Sequence, residues 1–416
     1  MKHETDVLVL GAGMVGVSAA LHLQQRGRDV VLVDRNAAAG DETSYGNAGL
    51  IEVASVQPYL FPRDLGHLLR YALNRSADVH YHLSGLPEFL PWLVRYFMAS
   101  SPESAARIAK AALPLIRQSL AEHEALIAEA GVPELLRKTG WIKLFRTEQS
   151  FGKSVAELDG VKRFGVTADV LDDAAIAARE PNLMGRFAGA IHWLEPGFIP
   201  DPGALVKAYA ALFARKGGRF LRGDAHTLHQ QAGGWRITTD DGVVSAREVV
   251  VTLGPWSDLV FKPLGYRIPL GVKRGYHQHF APRGNAVLQH PVLDADRGYL
   301  LAPMNRGIRL TTGAEFARRD APPTPVQVTR ARALARDLFP LGDAIEQQPW
   351  MGARPCLPDM LPVIGKAPRH EGLWFDFGHQ HHGLTLGPVT GRLLADMMTG
   401  AEPFADPKPF ALERFG

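Results

Sequence analysis

TDVLVLGAGMVGVSAALHLQQRGRDVVLVD (Thr5–Asp34) holds two short apolar runs, Val7–Leu10 and Val30–Val33, with Gly11, Gly13 and Gly16 between them. Such runs read as strands buried on both faces of a parallel sheet. In G-x-G-x-x-G spacing the first glycine permits a tight turn, the second lets backbone approach a pyrophosphate, and the third allows close helix–strand packing. The stretch opened by Met14 and Val15, apolar again at Ala19 and Leu23, predicts a helix. Its first turn offers free N–H groups and a positive dipole end to that phosphate. Asp34 closes the second run, where a carboxylate meets ribose hydroxyls and disfavours a 2′-phosphate. Strand, helix, strand and acid in this order predict a dinucleotide site; the bland alternative is a glycine-rich turn in an ordinary α/β protein.

Composition bounds the rest. The chain of 416 residues is long enough for two cores, and 46% hydrophobic with 21% charged residues is ordinary for a globular protein. A net charge of +3, from 46 basic and 43 acidic residues without a basic run, argues against a nucleic-acid surface. One cysteine, Cys356, excludes an internal disulfide and a cysteine-based zinc site, and suits a reducing compartment. Glu4 and Asp6 interrupt what would otherwise pass for a signal peptide. No apolar run approaches the length of roughly 18 residues that a membrane span requires.

Past Asp34 and Arg35, AAAGDETSYGNAG (Ala37–Gly49) is a polar, glycine-rich loop placed to lie along the cofactor. Thr43, Ser44 and Asn47 supply donors there, Gly46 and Gly49 allow close backbone approach, and Ala48 between them is a further cofactor-binding candidate. Residues 57–131 read as helical, with Leu65, Leu68, Leu69 and Leu73 on one face. Within them LPEFLPWLVRYFMA (Leu86–Ala99) is either a helix packed on the core or a membrane-surface element. The second reading puts Trp92, Tyr96 and Phe97 at the interface, with Arg70 and Arg95 near headgroups. Asp201-Pro202-Gly203 opens a helix with Asp201 as N-cap. Glu248–Thr252 is a strand ending in the corner Leu253-Gly254-Pro255-Trp256, and Gly271–Glu315 alternates like an antiparallel meander. Leu373–Phe377 is a strand, Gly378–Gly387 a loop rich in glycine and histidine, and Pro388–Met398 a helix capped by Gly400.

Six stretches together carry a family resemblance: GAGMVG…LVDR, ETSYGNAG, TGWIKLFRT, VVVTLGPWS, MGARPCLPDMLPVIG and GHQHHGLTLGPVTGRLLADMMTG. Spread over nearly the whole chain, they resemble the D-amino acid oxidase-like flavoprotein superfamily, and within it the D-amino acid dehydrogenases most. The resemblance implies an α/β (α+β overall) fold. A discontinuous Rossmann-like FAD-binding domain (1–56, 201–262 and 345–416) would accompany a substrate domain (57–200 and 263–344) with a mixed or antiparallel sheet. The cofactor would be FAD, which the glycine fingerprint alone does not distinguish from NAD. Cys356 does not fall where relatives attach FAD covalently, so non-covalent FAD is expected.

By the same resemblance, Arg354 in Gly352-Ala353-Arg354-Pro355 binds the substrate carboxylate. A guanidinium presents two parallel donors and keeps its charge when partly buried. The competing reading is a structural arginine paired with an acid such as Asp359. The Gly378–Thr385 loop, with Gly383, Leu384 and Thr385, would run beneath the isoalloxazine, and its backbone with the following helix dipole would favour negative charge there. His381 or His382 would face the substrate, and Tyr276 and Tyr299 are candidates for the pocket wall. Despite the H-x-H pairs His80/His82 and His277/His279, no metal is expected.

The implied reaction is oxidative deamination of a D-amino acid to a 2-oxo acid and ammonia, by hydride transfer from Cα to flavin N5. Electrons would pass to a quinone or another carrier. The alternatives are a D-proline or hydroxy-D-proline dehydrogenase, a glycine/sarcosine-type oxidase using O2, and a flavin-containing electron-transfer subunit. A cytoplasmic protein is expected, in peripheral contact with the inner membrane face through residues 86–99.

Overall fold

The computed structural model describes residues 2–63, 65–162, 164–231 and 233–416, and among these the chain forms two large sheets joined by long chain crossings. The first has 8 strands. Its parallel part runs Leu373–Phe377, Gly242–Val251, Lys2–Leu10 (β1), Val30–Asp34 (β2) and Arg219–Arg222, so strands far apart in sequence are neighbours. The carboxyl ends of these strands release Gly11, Arg35, Thr252 and Gly378 along one edge, where ligands bind open parallel sheets.

Helix Met14–Gln25 (α1) joins β1 to β2 and is buried from Met14 to Leu23 on nearly every side, because Pro202–Arg215 and Gly383–Thr399 both pack on it. The last contact depends on glycine. A Cβ at Gly387 would lie 2.7 Å from Met14 Cγ, and one at Gly391 only 2.8 Å from the Ala19 nitrogen. That C-terminal helix starts at Gly383, five residues before the expected Pro388. Pro388 is therefore interior and offers no N–H to the carbonyl of Leu384. His123 Nε2 bonds that carbonyl instead, at 2.7 Å, so a residue of the helix Pro102–Ala130 completes the ladder.

The second sheet has 11 strands of mixed direction. Gly271–Pro282 pairs antiparallel with Gly307–Thr312 and with Trp350–Cys356. The latter strand, in the segment 345–416 assigned to the FAD-binding domain, is paired in the second sheet. Val79–Tyr81, inside the stretch read as helical, is also a strand and pairs parallel with Ala314–Phe316. Both strands are too short or too rich in Gly and Pro to show a clean alternation, so partners rather than local pattern set them.

Leu86–Ala99 is a helix as expected; of the side chains the interfacial reading turned outward, Phe97 and Arg95 are exposed whereas Trp92 and Tyr96 are not. Trp92 and Tyr96 are buried, and their rings lie 4.9 Å and 4.2 Å from Lys273 Nζ. The outward face carries Leu90, Val94, Phe97 and Met98, with Arg95 exposed among them. The side chain of Arg70 lies outside the described residues. Among the described residues no helix is long and apolar enough to cross a membrane.

Candidate active site

One cleft runs along the carboxyl edge of the first sheet and ends against the second. At its first end Gly11 holds φ +102°, and a Cβ there would meet the Thr252 carbonyl oxygen at 2.7 Å. Gly16 sits behind the wall. A Cβ on it would reach the Gly11 oxygen at 1.8 Å, which is the helix–strand contact its spacing predicts. Gly13, Met14 and Val15 line the cleft, and no side chain caps the helix at Gly13. Ser44 Oγ accepts from the Met14 nitrogen at 3.0 Å, tying the ETSYGNAG loop over the helix start. Asp34 accepts from the backbone nitrogens of Ala12 (2.7 Å) and Asn36 (2.8 Å). Burial raises its carboxyl pKa, and those two N–H groups oppose the shift. Arg35 lies 4.2 Å over the Trp256 ring, closing this end beside Gly254.

In the middle of the cleft the loop donors bond protein rather than standing free. Thr43 Oγ1 donates to the Ala353 carbonyl at 2.8 Å and Asn47 Nδ2 to the His381 carbonyl at 3.3 Å. Gly383 and Leu384 line the cleft where the C-terminal helix begins, again with no side-chain cap. Two helix N-termini therefore point into one groove. Ala48 lines it as well, whereas Gly49, Gly378 and Thr385 stand behind the wall. Gly49 and Gly378 take positive φ to turn the chain, and Thr385 Oγ1 bonds Leu50 and Glu52 backbone. Gln380, at φ 57°, also holds a left-handed conformation and donates its N–H to the Pro355 carbonyl at 2.9 Å, pinning the histidine loop to the second sheet.

At the far end the Arg354 guanidinium lies over Gly275 of the neighbouring strand, whose missing side chain makes the room; a Cβ there would be 2.4 Å from Nη2. Arg354 donates to the carbonyls of Gly313 (2.8 Å) and Thr312 (3.4 Å), and among the described residues no acid pairs with it. Asp359, the acid proposed as its structural partner, pairs with Arg414 at 2.7 Å instead. Burial lowers the Arg354 pKa, as expected of a cation held without a counter-charge. His381 packs against His382 (centroids 3.9 Å apart) and edge-on to Tyr59 (4.7 Å). Burial keeps both histidines neutral, His382 with a pKa of about 4 and His381 well below its ordinary value. Their Nε2 atoms are buried without a hydrogen-bond partner among the described residues.

The two tyrosines are placed differently from expectation. Gly275 and Arg354 occupy the cleft face of the sheet, so alternation turns the Tyr276 ring to the opposite face. Its backbone borders the cleft, but its hydroxyl donates to Glu315 at 2.9 Å and accepts from the Thr324 nitrogen. Tyr299 is core, bonded to Asp294 at 3.2 Å, and does not reach the cleft. His80, His82 and Glu315 bring ligand atoms within 4.8 Å of one another, yet Glu315 is already bonded to Arg274, Tyr276 and Thr324. Its charge is neutralised there. Cys356 is buried against Trp92 and Tyr96, outside the cleft lining. Glu52, Trp350, Gly275 and Asp376 also line the cleft; none stands in a motif that pointed to it.

A long groove with a glycine cradle, two helix N-termini, the acid Asp34 at the end of β2 and a buried arginine fits an FAD. Its pyrophosphate would lie at Gly13–Val15, its ribose near Asp34 and its ring system toward the His381–Leu384 end.

The comparisons agree. The chain is 30% identical to a D-amino-acid oxidase of Bradyrhizobium diazoefficiens, over 100% of both chains. It is 30% identical to a D-amino acid dehydrogenase of Xylella fastidiosa, over 94% of this chain and 91% of the relative. The fold matches glycine oxidase from Geobacillus kaustophilus with a TM-score of 0.76 at 24% identity, covering 99% of this chain and 98% of that one. The family model described as FAD dependent oxidoreductase (DAO) matches residues 6–397, and the chain belongs to that family of FAD-dependent oxidoreductases.

Proposed function

We propose that this protein is a D-amino acid dehydrogenase. It would oxidise the substrate to an imino acid that water converts to a 2-oxo acid and ammonia. The observation that carries the reading is Arg354, a buried guanidinium with no acid partner among the described residues, at the end of the cleft where the ring system would lie. Such a group calls for a carboxylate from outside the chain. FAD, when bound, supplies the two-electron oxidising power. The protein's part is to fix the carboxylate on Arg354, hold the α-carbon at the ring face and keep water out with Tyr59, His381 and His382. The D enantiomer is favoured by the names of the 30% identical relatives.

A membrane-borne quinone is the proposed electron acceptor. Supporting it is the outward face of Leu86–Ala99, where Leu90 (59% exposed), Val94 and Met98 (67%) form an apolar strip near Arg63 and Arg95. Peripheral contact with an anionic bilayer on the cytoplasmic side follows, and Met98→Glu should release the protein in a vesicle co-sedimentation assay. Wild-type protein that ignores vesicles would favour O2 or a soluble carrier.

An anaerobic absorption spectrum before and after D-amino acids tests the main reading, with D-proline, hydroxy-D-proline and the L enantiomers included. Bleaching of the flavin bands by D and not by L forms is expected. Flavin bands that no amino acid bleaches would sink the substrate assignment.

A further inference from the structure

An amino acid enters the cleft as a zwitterion, and Arg354 answers only its carboxylate. Oxidation at the α-carbon also requires a neutral amine, so one proton must leave the ammonium after binding. The histidines of the loop are poor candidates to receive it. Burial lowers the pKa of both, and the charges of Arg354 and Lys273 lower that of His381 further.

Glu52 is placed for the task. It follows the short strand Leu50–Ile51, and its side chain lines the same cleft as Arg354, His381 and His382. Its backbone nitrogen donates to Thr385 Oγ1 at 3.1 Å, which fixes it at the start of the C-terminal helix, where the ring system would lie. Its carboxyl receives a hydrogen bond from Ser55 Oγ, and among the described residues it has no cationic partner. The charges of Glu52 and Arg354 both act on Tyr59, the residue packed edge-on to His381, so the acid and the arginine share one electrostatic neighbourhood at this end of the cleft. Of the other acids of the cleft, Asp34 is bonded to Ala12 and Asn36, Asp41 pairs with Lys207, Glu42 pairs with Arg35, and Asp224 accepts from the His226 nitrogen. Asp376 belongs to the strand Leu373–Phe377 and lies 3.3 Å from His379, its carboxyl oxygens buried without a hydrogen-bond partner among the described residues.

From this placement we infer that Glu52 binds the α-ammonium group of the substrate opposite Arg354 and takes its proton. One ammonium N–H bond breaks and one carboxyl O–H bond forms, leaving a neutral amine and a neutral carboxylic acid; the proton leaves to solvent with the product. The inference rests on the amino acid reading above and adds the residue that recognises the amine. Burial raises the carboxyl pKa, which brings its basicity closer to that of a useful proton acceptor. Tyr59, Arg354, His381 and His382 are the titratable or charged groups of the cleft end that it shares, and Lys273 acts on His381 from behind the lining.

The test is Glu52→Gln, with Glu52→Asp as the conservative partner, both checked for retained FAD and unchanged melting temperature. Two readouts are needed. The first is kcat/KM for D-alanine against pH. The second is the Kd of D-lactate, which carries the carboxylate but no amine, from its perturbation of the flavin spectrum. E52Q should lower kcat/KM about 100-fold at pH 7, the scale of a lost general base. It should shift the acid limb of the profile to higher pH, so that activity recovers toward alkaline pH, where the free amine is populated. D-lactate should bind within twofold of wild type, and E52D should restore part of the rate. A wild-type D-alanine profile in E52Q, while wild-type protein is still reduced by D-alanine, would overturn the role of Glu52 and leave the substrate reading intact. Equal losses for D-alanine and D-lactate would overturn it too, as the mark of a general pocket defect. Wild-type protein that no amino acid reduces would overturn both readings together.

Discussion

Arg354 and Gly275 form one device made from two strands. The guanidinium lies where Gly275 has no side chain, with its donors partly satisfied by the carbonyls of Gly313 and Thr312. Arg354→Lys keeps the charge but loses the planar fork, and KM for the substrate should rise about 10- to 100-fold, the value of one charge-assisted hydrogen bond or two. Steady-state kinetics check this, and unchanged KM would remove Arg354 from the site. Gly275→Ala is the subtler probe. The added Cβ meets the tip of a flexible side chain rather than backbone, so the fold should tolerate it while the guanidinium shifts. KM should rise with the melting temperature within about 1 °C of wild type, under the roughly 2–4 °C that 1 kcal/mol produces in a domain of about 150–250 residues. Neither residue advertises this pairing locally. Arg354 was legible because a G-x-R-P stretch resembles known flavoproteins; Gly275 and Glu52 were not, since their roles come from neighbours distant in the chain.

At the scale of elements, the contact between α1 and the C-terminal helix decides where both helix ends point. Gly391 brings the second helix against the Ala19 backbone, and a Cβ there would lie 2.8 Å from its nitrogen. Gly391→Ala should therefore destabilise the protein by about 1–3 kcal/mol, the usual penalty of overpacking, and weaken FAD retention along with it. Chemical denaturation and flavin release on dilution measure the two effects; a wild-type midpoint would show that the helices part at no penalty. The early start of this helix illustrates where element reading fails. Pro388 marks a helix start in sequence, yet here His123 supplies the bond that proline withholds, and the helix continues backward to Gly383. Trp92 and Tyr96 give the same lesson on faces: their helix was legible, but the partners that bury them, Lys273, Cys356 and Phe61, lie on other elements.

Across the whole molecule, buried neutral histidines set the response to acid. Burial holds His123 at a pKa of about 4 and His22 at about 3. In the unfolded chain each returns to about 6.5, so between that value and the folded pKa the unfolded state binds more protons. Stability contributed by these groups is complete above about 6.5 and falls as pH drops toward 4, levelling off only below the folded values. The melting temperature should decline from pH 7.5 to pH 5, and His123→Asn should lower it at pH 7.5 while flattening the decline. A variant with the wild-type slope would assign the acid response to other groups.

What the sequence by itself determined is what is written locally. The glycine fingerprint from β1 to β2, the acid after it, the Asp201-capped helix and the Leu373–Phe377 strand each follow from a few consecutive residues and their backbone needs. Tertiary structure alone decided which strand joins which sheet, and hence which face each side chain takes. Tyr276 turns from the cleft because Gly275 and Arg354 hold its face, Tyr299 sinks into the core beside Asp294, and Trp350–Cys356, in the segment assigned to the FAD-binding domain, is paired in the second sheet. Side-chain direction in a strand reverses with every residue, so a register set by distant partners outweighs any local signal.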